Sequence, residues 1–417
     1  MRRAAPAIVL AAALAAGCSS SQAPAPSPAE PSAPAVPAKA SGDRAARTVA
    51  LRYVRRAASG RPAGALAAPR TAAGRRSLRE LERWLGSIPA HDVQGAAVAQ
   101  ASGSPGSASV LVTVRGRLGS GAGNAAVGFG GLRVRLRRGA GGWRVVAYQA
   151  HRPGSDVAAD GLSAIPHARY VSGPGSLVVN AAGAPADDVA SVQLAAEAFP
   201  RLVSRYAPPG FDRTPVIFLL RSWSQADSVA RITFPHEAVG AEYRGMVFID
   251  VPAWSLADEV GARGVVVHEL AHVASAGLVR GVPLSLMEGL ARYEEDEYDR
   301  RAGAPRTDAP LAAAYRAGYP TVTRWAWAIP NQWQLHSGGS IQLAYDDGAA
   351  VVRAVVSGHG IAGVRRLAAE FRREGGGWFS PARLRRVFRR ALGEPLADVI
   401  DHAHAETYAD PIASQPS

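Results

Sequence analysis

Cys18 is the only cysteine among 417 residues. No internal disulfide can form and no cysteine-rich zinc or iron–sulfur site can be built, so any metal must be held by His and carboxylates. Long apolar runs are missing as well. After the extreme N-terminus none reaches the roughly 18–20 residues that span a bilayer, which excludes a polytopic membrane protein. Lysine is nearly absent, Lys39 being the only one, so the positive charge is carried by Arg. The chain exceeds one ordinary core, at about 100–200 residues per domain, and its 47% hydrophobic and 19% charged residues are globular composition.

The net charge of +13 is unevenly spread. Residues 1–174 hold 23 Lys+Arg against 7 Asp+Glu, a balance of +16, while 175–417 hold 24 against 27, a balance of −3. Basic surface attracts anionic lipid, wall polymer or nucleic acid through the same unspecific field, so its sign selects no partner. A solvated basic face accounts for it, and nucleic acid is not expected as a partner.

Arg2 and Arg3 precede an apolar stretch from Ala7 to Ala16, the charged and hydrophobic regions of an export signal over 1–17. It ends in Leu14-Ala15-Ala16-Gly17-Cys18, which resembles a bacterial lipobox, so Cys18 is expected to be lipidated and to anchor the chain. The expected location is the extracytoplasmic face of the cell membrane. Residues 18–42, rich in Pro, Ala and Ser, form a semi-extended tether that cannot pack a core.

Residues 43–170 read as an α+β module. Helical spacing predicts a helix over Ala45–Ala58 and a second opening at Ser77 and running to Leu85. Period-two stretches predict strands at Val93–Ala99, Ser109–Leu118, Gly131–Arg138 and Trp143–Gln149. Leu132, Val134 and Leu136 alternate with Arg133, Arg135 and Arg137, giving one buried and one arginine-rich face. Helices followed by an antiparallel sheet resemble the nuclear-transport-factor-like cone. Such a module could bind a ligand, guard the next domain or space it from the membrane.

The chemistry lies in 175–410, with 411–417 a tail. Pro215–Leu220 and Gly245–Val251 are predicted strands. A helix capped by Ser255 or Asp258 then carries Val265 to Ala274 and stops near Gly277. Within it stands His268-Glu269-Leu270-Ala271-His272. Two His at i and i+4 share a helix face, with Cβ atoms about 5–6 Å apart, close enough to hold one ion. Glu269 is rotated beside them, where its carboxylate reaches a metal-bound water without being a ligand. Pro283 opens a second helix with Glu288 about one turn inside it. Zinc in hydrolases takes three protein ligands and keeps a fourth position open, His₂Glu being one established set, and Glu288 completes it. Gly289 would let the two helices pack closely.

The helix bearing His268-Glu269-x-x-His272, followed by the Pro283-x-x-x-x-Glu288-Gly289-x-Ala291-x-Tyr293 helix, resembles the gluzincin metallopeptidases. The closest likeness is to the peptidase MA-like group of exported bacterial proteins, over roughly residues 210–408. The resemblance implies a thermolysin-like zincin domain, with an edge-stranded sheet, an active-site helix and a helical C-terminal subdomain. It makes Glu288 the third ligand of one Zn²⁺ per chain. It also implies an active-site edge strand to which substrate backbone adds as a further strand, a role that falls to Gly245–Val251. A metzincin is excluded, because Ser275 and Leu278 stand where its Gly and third His belong. Thermolysin-type relatives place an Asp four residues after the ligand Glu, whereas this chain has Arg292, so the group orienting His268 or His272 stays open. Leu343–Val352 resembles the family's later helix, which implies Tyr345 as donor to a tetrahedral oxyanion, with ring packing as the plain alternative.

Asp346 and Asp347 read as solvated or capping groups, and His336, His359, His402 and His404 as surface. Trp325, Trp327 and Trp333 read as core packing, and His236-Glu237 as loop. The implied activity is zinc-dependent hydrolysis of a peptide or protein substrate at the cell surface. Metal-activated water attacks the carbonyl while Glu269, as general base, takes its proton and passes it to the leaving amine. The rivals are a surface lipoprotein that binds wall polymer or lipid around a structural or vestigial zinc site, and a hydrolase of another amide or ester. An intact Glu269 speaks against the first, since a structural site needs no base. Specificity is expected in the edge strand and in loops at Trp223–Tyr243 and Thr321–Ser340. The sequence carries no signal of oligomeric state.

Overall fold

The computed structural model describes residues 40–100, 106–119, 121, 123–124, 126–149, 161–234, 238–255, 259–304, 308–318, 338–375 and 379–409. The export signal with Cys18, the tether up to 39, His236-Glu237, Asp258, Trp325, Trp327, Trp333, His336 and the tail lie outside the described residues. The fold is mixed α+β, with a four-stranded sheet and a five-stranded sheet.

The chain begins with α1 (Ala40–Ala58) and α2 (Ala72–Ser87), followed by β1 (Ala90–Gln100), β2 (Ser107–Leu118), β3 (Ala126–Gly139) and β4 (Gly142–Gln149). The strands form an antiparallel meander in chain order. Leu132, Val134 and Leu136 are buried with Tyr53, Leu81 and Leu85 of the helices, while Arg135 and Arg137 face solvent. The alternation works because successive strand side chains point to opposite faces. α2 opens five residues before Ser77, where Thr71 Oγ1 caps it by accepting from Gly74 N. Ser77 instead ties the helix to the sheet, its hydroxyl oxygen accepting from Tyr148 N at 3.2 Å.

The second sheet comprises β5 (Arg169–Gly173), β6 (Ser176–Asn180), β7 (Val216–Leu220), β8 (Gly240–Tyr243) and β9 (Met246–Asp250), in spatial order β5-β6-β7-β9-β8. β6, β7 and β9 run parallel, with β5 and β8 antiparallel at the edges. α3 (Ala186–Ala196) and α4 (Phe199–Tyr206) make the crossover from β6 to β7, and α5 (Trp223–Ala230) follows β7. Every residue of β7 is buried, because both faces of the sheet are covered. Ile217, Leu219, Val247 and Ile249 face one core, while Phe218 stacks on Phe248 at 5.0 Å in another that also holds Val127 and Phe129 of β3. The first sheet and the second therefore share a core.

The expected edge strand over Gly245–Val251 is corrected. β9 lies inside the sheet, paired on both sides, and β8 forms the edge. Arg244 and Gly245 both have positive φ, 55° and 83°, and make a two-residue turn that folds β8 back along β9. Trp223–Tyr243 is likewise no simple loop, since it contains α5 and β8.

Helices complete the chain: α6 (Val251–Trp254), α7 (Glu259–Ser275), α8 (Leu284–Arg301), α9 (Ala309–Arg316), α10 (Gly338–Arg373, kinked at Gly360), α11 (Pro381–Leu392) and α12 (Leu396–Ala409). Ser255 follows α6 as its C-cap and does not cap α7. α7 is buried on every side from Val265 to Ser275, the mark of a central helix. Gly289 serves a different pair of helices from the one expected. A Cβ there would lie 2.3 Å from the Gly348 carbonyl carbon, so it lets α8 and α10 cross closely. The close approach of α7 to α8 falls instead at Gly264, where a Cβ would meet Asp299 Oδ1 at 2.7 Å. No helix of the described residues is long and apolar enough to cross a membrane.

Asn124, in the β2–β3 connection, fastens the two sheets. Its Nδ2 donates to Leu118 O at 2.6 Å and its Oδ1 accepts from Thr214 N, just before β7, at 3.0 Å. Asn124→Ala removes both bonds, one of them buried, so unfolding free energy should fall by about 1–3 kcal/mol. Chemical denaturation of the two proteins checks this.

Candidate metal centre

α7 and α8 bring the three expected donors together. His268, His272 and Glu288 are all buried, and one donor atom from each lies within 4.8 Å of the others. Glu288 Oε2 stands 3.4 Å from His268 Nε2 and 3.3 Å from His272 Nε2. A tetrahedral ion with ligand bonds of about 2.0–2.1 Å has donor–donor edges of about 3.3–3.4 Å, so these spacings suit a small divalent cation. Neither Glu288 oxygen has an aligned hydrogen-bond donor among the described residues. A fully buried carboxylate in that condition is strongly destabilising without a cation beside it. The group could hold one metal ion.

The electrostatics agree. Burial opposes a proton on His268, yet its contacts with Glu288 and Glu295 outweigh this and lift its pKa to about 10. Burial would raise Glu288, but His272 and His268 hold it down to about 2. A pocket that favours positive charge on imidazole to this extent offers the same field to a metal ion, which competes with protons for the donors.

Arg292 offers no carboxylate to the imidazoles, and the structure supplies another partner for His268. Glu295 Oε2 lies 3.1 Å from His268 Nδ1 and also accepts from Arg292 Nη1 at 3.0 Å. Arg292 reaches on to Asp346 Oδ1 at 3.2 Å. The carboxylate thus fixes the imidazole while the guanidinium fixes the carboxylate, leaving Nε2 to face Glu288. Glu295 was missed in the sequence, although it lies two helical turns beyond Glu288 and so near the same face.

Glu269 is 3% exposed, and burial pushes its pKa up to about 7 against the pull of His268 and His272. It is pressed against the sheet edge, since a Cβ on Gly240 of β8 would lie 3.0 Å from its Oε1. Glu242, two residues along the same strand face, is a second acid that the sequence did not reveal. Burial raises its pKa, partly offset by Gly245 N–H and by His272 and Arg213. Tyr345 is buried on α10, its ring stacked on His268 with centroids 6.3 Å apart.

The remaining candidates fall away from the centre. Asp346 and Asp347 are not solvated: Asp346 holds Arg292, and buried Asp347 accepts from Tyr315 Oη at 2.8 Å. His359 is half-buried against Glu394 at 2.9 Å, and His404 packs on Tyr315 with ring centroids 4.1 Å apart, so neither is simple surface. His402 is exposed beside Glu406. No family model matches the chain, and no curated protein matches its sequence.

Removing the Glu295 carboxylate leaves His268 free to rotate and to choose the wrong tautomer. Glu295→Ala should weaken divalent metal binding by about 10–100-fold, with Glu295→Gln losing less because an amide oxygen can still accept. Titration against a chelating dye measures the difference.

Proposed function

We propose that the chain is a zinc metallopeptidase of the gluzincin type, in which His268, His272 and Glu288 hold one Zn²⁺ and Glu269 is the general base. The observation that carries this reading is the set of three buried donors, with Glu288 at tetrahedral edge spacing from each imidazole, and a buried carboxylate beside them. Zn²⁺ at that centre would supply Lewis-acid chemistry, making water a nucleophile near neutral pH and polarising a carbonyl.

The chain's own groups account for the rest. Glu269 takes the proton of the attacking water and delivers it to the leaving nitrogen, a duty suited to a buried carboxylate beside the ligand pair. Tyr345, beside His268, donates to the developing oxyanion. β8, whose outer side carries no partner strand among the described residues, receives the substrate backbone as an added strand. Burial of the centre excludes bulk water and strengthens each of these interactions.

Sheet, edge strand β8, metal helix α7, ligand helix α8 and the helices from α9 onward support a thermolysin-like arrangement for the catalytic part. The helix pair packed on a four-stranded antiparallel sheet supports a cone-like module before it. The Leu14–Cys18 lipobox supports anchoring of the whole at the outer face of the membrane.

Metal analysis of the mature chain should find about one zinc per molecule. Glu269→Gln should keep that zinc and the thermal transition while hydrolysis of an unstructured peptide library falls about 10²–10⁴-fold. If parent and variant are equally silent on peptides, esters and other amides, the reading gives way to a surface lipoprotein that binds wall polymer or lipid. Cys18→Ala should move the protein from the membrane fraction into the soluble one, and its retention in the membrane would refute the lipid anchor.

A further inference from the structure

A cavity of about 590 Å³ opens where β2 and β3 meet the turn after β8. Arg115 of β2, Arg231 after α5 and Arg244 of the β8–β9 turn all line it, and no acidic residue does. Neutral groups orient two of the side chains, those of Arg115 and Arg244. Arg115 Nη2 donates to Gln94 Oε1 at 3.2 Å. Arg244 lies with Cζ 5.1 Å from the Tyr243 ring centroid, a cation–π contact that leaves its charge intact. Arg231 rests over Gly128, where a Cβ would be 3.8 Å from its Cζ, and Gly128 is the direct cross-strand partner of Arg115. The missing side chain at Gly128 therefore leaves room on the sheet for the Arg231 guanidinium, across the strand from the Arg115 backbone.

This groove shares Tyr243 with the edge strand and Arg244 with the turn that follows it. The other end of β8, Gly240, touches Glu269, and three residues of strand span about 10 Å. Side chains of a peptide added to β8 alternate between the two faces, so one leaving the catalytic face three residues on is directed toward the Tyr243 side. We infer that the groove is a specificity subsite for acidic side chains of the peptide substrate, about three residues from the cleaved bond. The inference rests on the metallopeptidase reading. Guanidinium forks suit carboxylates, which they bind by two parallel hydrogen bonds.

The test pairs an unstructured peptide rich in Asp and Glu with its Asn and Gln counterpart. Binding is read by fluorescence anisotropy on the full chain in the Glu269→Gln background, which prevents turnover, and hydrolysis is measured separately with the zinc-loaded parent. The acidic peptide should bind about tenfold more tightly, the preference shrinking with salt. Arg231→Gln/Arg244→Gln, both at exposed positions, should retain the thermal transition and bind the two peptides nearly alike. Equal binding of both peptides to the protein with its arginines intact overturns the proposal, as does an acidic preference that survives the double substitution. Hydrolysis without acidic preference would remove the subsite and leave the peptidase standing. Arginine-dependent binding with no hydrolysis of either peptide would sink the peptidase reading and the subsite role with it.

Discussion

A fully buried carboxylate, Glu288, placed between two imidazoles is the constraint that the surrounding structure serves. Charge in a low-dielectric interior is tolerated only when each group finds an opposite or hydrogen-bonding partner. α8 solves this residue by residue. Glu295 is held by Arg292 and His268, while Glu294 takes Arg205 and Tyr206 at 2.6 Å and Arg201 at 3.1 Å. A helix so rich in acids is buried because α4, α7 and α10 each present it with a cation, an imidazole or a glycine that lets the backbone come close.

The same helix decides the direction of the site. Gly264 seats the Glu295 and Asp299 side chains of α8 against α7, and Gly289 brings the α8 backbone against Gly348 of α10, so a glycine sets each crossing. Interiors packed at crystal-like density transmit such placements with little slack. α10 then delivers Asp346 to Arg292 and the Tyr345 ring to His268, joining a distant stretch of chain to the centre.

The five-stranded sheet stands between this helical layer and the N-terminal sheet. Because both its faces are buried, β7 reads as an unbroken apolar run, and the N-terminal strands share its second core. The basic half of the chain is thus carried to the side of the edge strand, where Arg115 meets Arg231 and Arg244.

Much of this was legible in the chain itself. The i, i+4 spacing of His268 and His272 puts two donors on one face by helical geometry, the usual zinc ligand set and the gluzincin-like pattern behind Pro283 point to Glu288, and the Leu132–Leu136 alternation announces a one-sided sheet. The edge strand was misplaced because β8, four residues with Glu242 among them, carries no apolar run and reads as loop, and only pairing tells an inner strand from an outer one. Asp346 looked solvated because its partner Arg292 lies 54 residues away, and the role of Glu295 depended on how α7 turns toward α8. Local periodicity determined which residues share a face. Which faces meet, which carboxylate orients His268 and which glycine sets each crossing were decided by the tertiary structure, because buried charges and backbone contacts depend on elements far apart in the chain.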